Sequence, residues 1–191
     1  MSDNKGTLIV ISGPSGVGKG TVVGMLLKRL KDAVLSVSCT TRAPREGEKE
    51  GKSYFFISKA TFLKMIDENG FLEYSNHFEN YYGTPRFFVE QKLAEGKTVI
   101  LEIDVDGAQH IREEFPDALL LMITPPSREE LVRRLKLRGT EDEAVIAKRL
   151  ERADYEMSRS QFYDYTIIND DLDKTVETII KIVENRRKGI K

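Results

Sequence analysis

Cysteine is almost absent. Cys39 is the only one in 191 residues, so neither an internal disulfide nor a cysteine-based zinc site can be built, which fits a reducing compartment. Histidine is scarce as well: His77 and His110 are the only two, neither has a second His or Cys spaced for a metal, and both are expected to be structural or exposed. No apolar run approaches the roughly 18 residues that a membrane-spanning helix needs. The opening MSDNKGTLIVIS lacks the basic region, long apolar stretch and small-residue cleavage site of a secretory signal, so a cytoplasmic protein is expected. Charge of one sign is missing too. With 30 Lys and Arg against 31 Asp and Glu, no global field draws in nucleic acid or an anionic membrane, and any anionic ligand must be held by local clusters. There are no repeats and no low-complexity tract.

What is present is enough apolar sequence, 40% of the chain, to bury one sizeable core, so a single domain with mobile appendages is expected. Thr7 to Ser12 is a short run rich in Ile and Val that ends in a glycine cluster, the pattern of a buried strand entering a loop. Helix-compatible sequence follows from Lys19 to Leu30. Thr98 to Ile103, Ala118 to Ile123 and Tyr165 to Ile168 are further buried-strand candidates, each beside a helix-like stretch. That alternation predicts an α/β fold whose mostly parallel sheet is covered by helices on both faces, with ligands beyond the carboxyl ends of the strands. Two stretches break the pattern. Ser38 to Glu90 has Pro44, several glycines and short aromatic pieces that read as a small antiparallel or mixed insertion. Arg128 to Arg159 reads as two arginine-rich helices with few large apolar residues, a mobile flap more than a core element.

Gly13-Pro14-Ser15-Gly16-Val17-Gly18-Lys19-Gly20-Thr21 lies between the first strand and the first helix, the context a nucleotide phosphate loop requires. Glycines let backbone N–H groups converge on a polyphosphate, the helix adds its positive end, and Lys19 brings a full charge near the transferred group. The bland alternative is an ordinary glycine-rich turn, and it is disfavoured because both the glycine spacing and the flanking elements match a phosphate loop. The residue after Lys19 is Gly20, where the usual motif has the Ser or Thr whose hydroxyl reaches Mg²⁺. Either Thr21 substitutes or water completes the metal's shell.

The insertion narrows the choice among phosphate-loop proteins. Ser38-Cys39-Thr40-Thr41-Arg42-Ala43-Pro44-Arg45-Glu46-Gly47-Glu48 puts two arginines three apart in a loop after a strand, and Tyr54, Glu73, Tyr81 and Tyr82 follow. Forked guanidinium groups and phenols suit a monophosphate dianion, and Arg42, Arg45, Tyr54 and Tyr82 offer both. With Gly51-Lys52-Ser53-Tyr54, Phe71-Leu72-Glu73, Asn80-Tyr81-Tyr82-Gly83-Thr84, Leu101-Glu102-Ile103-Asp104, Pro125-Pro126-Ser127, Arg138-Gly139-Thr140-Glu141, Lys148-Arg149-Leu150 and Asn169-Asp170-Asp171, the chain resembles the guanylate kinase family over nearly its whole length.

That resemblance implies a P-loop kinase core at about 5–37, 91–126 and 164–191, a GMP-binding insertion at about 38–90 and a helical lid at about 127–163, all one domain over 1–191. It implies transfer of the γ-phosphoryl group of ATP to GMP, with Mg²⁺ entering on ATP and held mainly by phosphates and water. Glu73 becomes the acceptor for guanine N1–H and the N2 amino group, a paired donor edge that adenine lacks. Ser38, Gly83 and Thr84 sit near the base, and Glu102 and Asp104 line the pocket, two apart and so on one face if the strand continues. Arg134, Arg138 and Arg149 close over the phosphates, Asn169 lies on the adenine side, and Asp104 is a candidate for the magnesium shell. No general base stands out, and the anionic GMP phosphate needs none. Two rivals remain: a kinase acting on AMP, and a non-catalytic interaction module of the same fold. A monomer and a homodimer are both left open.

Overall fold

The computed structural model describes residues 6–77, 79–137 and 143–190. Strand β1 (Thr7–Ser12) is buried from Leu8 onward, as an apolar strand in the middle of a parallel sheet must be. It pairs with β7 (Thr98–Glu102) on one side and β8 (Leu119–Thr124) on the other; β2 (Ala33–Leu35) and β9 (Tyr165–Ile168) form the edges. The order is β2-β7-β1-β8-β9 and every pairing is parallel. One face is covered by α1 (Lys19–Arg29) and α7 (Leu172–Arg187), whose Val22, Val23, Leu26, Val176, Ile179 and Val183 close over Ile9, Ile11 and Leu121. On the other, α3 (Arg86–Ala94) and α4 (Val105–Glu114) set Val89, Ala108 and Ile111 over Leu8, Val10, Val99 and Leu101. The expected core strands are all present to within one residue at each end. Strand β2 was not foreseen, because three half-buried residues carry no period to read.

The insertion is a mixed four-stranded sheet. In it β3 (Cys39–Thr40) runs parallel to β4 (Phe55–Phe56) and antiparallel to β6 (Asn80–Pro85), which pairs antiparallel with β5 (Phe71–His77). Helix α2 (Lys59–Asp67), capped by the Ser58 side chain at Thr61 N–H, seals one face. Its Phe62 is fully buried, stacked on Phe71 with ring centroids 4.3 Å apart and 5.3 Å from Tyr81. Cys39 belongs to this small core, where burial pushes its thiol up to about 11 and leaves it inert. Helix α3 straddles the boundary placed near residue 90, since Val89 packs in the main core.

The arginine-rich stretch forms α5 (Arg128–Leu137) and α6 (Glu143–Ser158). Its few apolar residues are concentrated: Leu131, Leu135 and Ala153 form a cluster with Leu150. Leu135 lies so close over the glycine loop that a Cβ at Gly16 would stand 2.9 Å from its Cδ2. No described helix is long and apolar enough to cross a membrane.

Candidate active site

The loop after β1 has the geometry its glycines imply. Gly18 caps α1 with φ 97° and ψ 20°, a left-handed conformation that a side chain resists. Gly13, at φ 150°, passes so near β8 that a Cβ would stand 2.2 Å from the Ile123 carbonyl oxygen. Lys19 opens α1, and its Nζ donates back to the Gly13 carbonyl, with the Pro14 carbonyl 3.4 Å away.

Two cavities flank this loop. The outer one, about 260 Å³, is lined by Gly16, Val17, Gly18, Thr21, Arg134, Asn169, Asp170 and Leu172. Asn169 is buried where β9 ends, and its Nδ2 donates to the Val17 carbonyl at 2.8 Å. Arg134 reaches the same carbonyl at 3.3 Å and the Asn169 carbonyl at 3.1 Å, while its Nε donates to Glu130 at 2.7 Å. Thr21 therefore lines the outer cavity. Gly20 faces inward, where a Cβ would lie 3.9 Å from Glu102 Oε1.

The inner cavity, about 330 Å³, joins the three parts of the chain. Gly13, Lys19, Leu35, Ser36, Glu102, Ile103 and Asp104 come from the core, Ser38, Ser53 and Tyr54 from the insertion, and Glu156 from α6. Glu102 keeps some exposure, yet desolvation by the protein around it raises its carboxyl above the usual range, with the Lys19 charge pulling the other way. Asp104 corrects one expectation. Strand β7 ends at Glu102, so the alternation of a strand does not place Asp104; it is the N-cap of α4, its Oδ1 accepting from Gly107 N–H at 2.8 Å. Both carboxylates still line the one cavity.

Beside this cavity the insertion gathers its cationic and phenolic groups. Arg42 Nη2 donates to both Glu48 oxygens, at 2.8 and 3.0 Å, and its guanidinium lies 5.7 Å from the Tyr54 ring centroid. Tyr54 and Tyr82 meet edge to face at 5.9 Å. Arg45 is exposed, and its backbone N–H donates to Glu48 Oε2 at 2.7 Å. Glu48 thus orders the loop, a role not read from the sequence although the residue closes the quoted motif.

Glu73 is buried, at 8% exposure, and Thr84 Oγ1 donates to its Oε1 at 2.5 Å. Gly107 makes room for it: a Cβ there would stand 3.0 Å from Glu73 Oε2. Burial raises the Glu73 carboxyl above the ordinary range; the Thr84 bond opposes this and the Asp104 charge adds to it. Gly83 is a packing position, since a Cβ would lie 2.9 Å from Phe71 Cδ1. Of the lid arginines, Arg134 contacts the phosphate loop and Arg149 is half-buried on α6. Arg138 lies outside the described residues. Arg152 meets acids at the cavity's edge, with Nη2 3.4 Å from Asp104 Oδ2, which lines it, and 2.9 Å from Asp106 Oδ2 beside it. Neither Arg152 nor Glu156 sits in any motif, so no sequence signal could have found them.

A parallel sheet that ends in a phosphate loop, with an acid-lined cavity between that loop and an inserted sheet, defines a P-loop phosphotransferase. Comparison with known proteins narrows the class. The family model described as guanylate kinase matches residues 5–186. The chain is 50% identical over 179 residues to a guanylate kinase of Caldanaerobacter subterraneus subsp. tengcongensis, covering 94% of this chain and 87% of that one. It is 48% identical over 181 residues to a guanylate kinase of Prochlorococcus marinus, covering 95% and 98%. The crystal structure of guanylate kinase from Anaplasma phagocytophilum superposes with a TM-score of 0.78 at 35% identity, covering 96% of this chain and 87% of that one. The chain belongs to the guanylate kinase family.

Proposed function

We propose that this chain transfers the γ-phosphoryl group of ATP to GMP, giving ADP and GDP, at the inner cavity. One observation carries the reading: a single cavity is lined by Lys19 of the phosphate loop, by Ser38 and Tyr54 of the insertion, and by the acids Glu102 and Asp104. Donor and acceptor phosphates can meet only where such walls meet. The acceptor phosphate is held by Arg42, Arg45, Tyr54 and Tyr82. Its guanine presents N1–H and N2 to Glu73, beside Ser38, Gly83 and Thr84. ATP phosphates lie in the loop from Gly13 to Thr21 against Lys19, with the adenosine on the side of Asn169 and Arg134. Arg138 and Arg149 complete the positive charge around the moving group.

Magnesium enters with ATP. No group of three or more His, Cys, Asp or Glu among the described residues could hold a metal by itself. Gly20 supplies no hydroxyl, but it faces the Glu102 carboxylate, so oxygen donors suited to Mg²⁺ are at hand beside the phosphates and water that form most of its shell. When bound with ATP, the ion would offset the negative charge of the phosphate oxygens. What the chain does is align the reactants: an oxygen of the GMP phosphate forms the new bond to the γ-phosphorus as the bond to the β,γ-bridging oxygen breaks, and ADP leaves with that electron pair. No base is required, because the attacking oxygen is already anionic.

Calorimetric titration with GMP and AMP tests the acceptor assignment. GMP is expected to bind at least about tenfold more tightly, the discrimination of one buried acceptor against a base that lacks its donors. Equal affinity for the two would remove Glu73 from the reading.

A further inference from the structure

Helix α6 sends two residues toward the inner cavity. Glu156 lines it and is buried, with its side chain 10% exposed; Oε1 accepts from Arg152 Nε at 3.2 Å, and Oε2 has no hydrogen-bond partner among the described residues. Arg152 carries the contact onward. Its Nη2 donates to Asp106 Oδ2 at 2.9 Å and stands 3.4 Å from Asp104 Oδ2. Its guanidinium lies 4.9 Å from the centroid of Tyr155, whose hydroxyl donates to Asp106 Oδ1 at 2.7 Å. A planar fork held by three carboxylates and an aromatic face has one orientation, which a lysine could not copy.

The carboxylates it meets matter to the acceptor side. Asp104 caps α4 through Gly107 N–H, and Gly107 is the residue that abuts Glu73 Oε2. The groups facing Glu73 are the Asp104 carboxylate, His110 of α4 and the Thr84 hydroxyl. Of these, Asp104 brings the negative charge. We propose that Arg152, oriented by Glu156, is a positioning residue for the GMP pocket: it holds Asp104 at the start of α4 and offsets its charge beside Glu73, so that the lid helix sets how firmly the base is held.

This inference rests on the GMP reading and adds a pH signature to it. Glu73 must be ionised to accept both guanine donors, so GMP affinity falls as pH drops through its raised range. Without Arg152 the Asp104 charge is less offset, Glu73 holds its proton more tightly, and that fall begins at higher pH.

The test is titration of GMP, and separately of a nonhydrolysable ATP analogue, into the wild-type chain and its variants across pH. Arg152→Ala is expected to weaken GMP about fivefold to tenfold and the ATP analogue by less than about twofold, with the acid limb of GMP binding moved upward. Arg152→Lys keeps the charge without the fork, so the acid limb returns toward the wild-type position while part of the affinity stays lost. Glu156→Ala should have a smaller effect, and adding it to Arg152→Ala should weaken GMP no further, as for two residues acting through one contact. A GMP affinity and acid limb unchanged in Arg152→Ala would overturn the inference, and so would equal losses for GMP and the ATP analogue. Failure of the wild-type chain to bind GMP would instead strike the reading beneath it.

Discussion

Glu73→Gln is expected to lower kcat/KM for GMP by roughly one and a half to three decades, about 2 to 4 kcal/mol, while ATP affinity hardly changes. The buried carboxylate already accepts the Thr84 hydroxyl on Oε1. An amide can keep that bond through its oxygen, but its NH₂ then stands where Oε2 stood and must face a guanine donor. Gly107 gives it no side-chain acceptor to turn to, because the residue beside Oε2 is a glycine. Discrimination between GMP and AMP should shrink, because the group that favours guanine has gone while the phosphate clamp remains. Stability should move the other way. Glu73 has its carboxyl raised in the folded chain, so the folded state binds that proton more tightly than the unfolded one. Ionised Glu73 therefore costs stability at neutral pH, and the cost disappears as pH falls below the ordinary glutamate range. Glu73→Gln should melt no lower than the wild type at neutral pH. If it melts far lower, or if GMP turnover survives intact, the base is selected elsewhere, with Asp104 and Glu102 the next acids to replace.

Lys19→Ala should reduce kcat on the order of a thousandfold or more, the scale of removing a charge placed where the transition state gathers its own. Lys19 is half-buried at the start of α1, and its ammonium bonds the Gly13 carbonyl of the loop. Its loss should cost stability no more than about 1 kcal/mol, the usual net worth of one such bond. Steady-state kinetics beside a melting curve separates the two effects. A folded variant that forms ADP at near-normal rate would show that the inner cavity is not where phosphate moves.

Much of this site was legible because its residues come in runs. The phosphate loop is one contiguous segment whose glycines are demanded by backbone geometry, at Gly13 by the Ile123 carbonyl and at Gly18 by a left-handed cap. Strands β1, β7 and β8 were legible for a related reason, since burial on both faces leaves an unbroken apolar run. Contacts between distant elements left no such trace. Arg152 meets Asp104 and Asp106 across more than forty residues of sequence, and on α6 it reads as one more charge on a solvated face. Asp104 showed the opposite failure, where a strand rule was extended past the strand's end and a helix cap took over. Arg134, read from the sequence as a phosphate contact, lies against the phosphate loop at the Val17 and Asn169 carbonyls, a position that depends on the packing of α5 on the loop.

Giving the protein ATP and magnesium, offering GMP, AMP, CMP and UMP separately, and measuring ADP asks whether phosphate moves to GMP. ADP formation is expected to depend on GMP and to stay near the no-acceptor rate with the other three. ADP formed as fast with AMP, or none above background with GMP, would contradict that expectation.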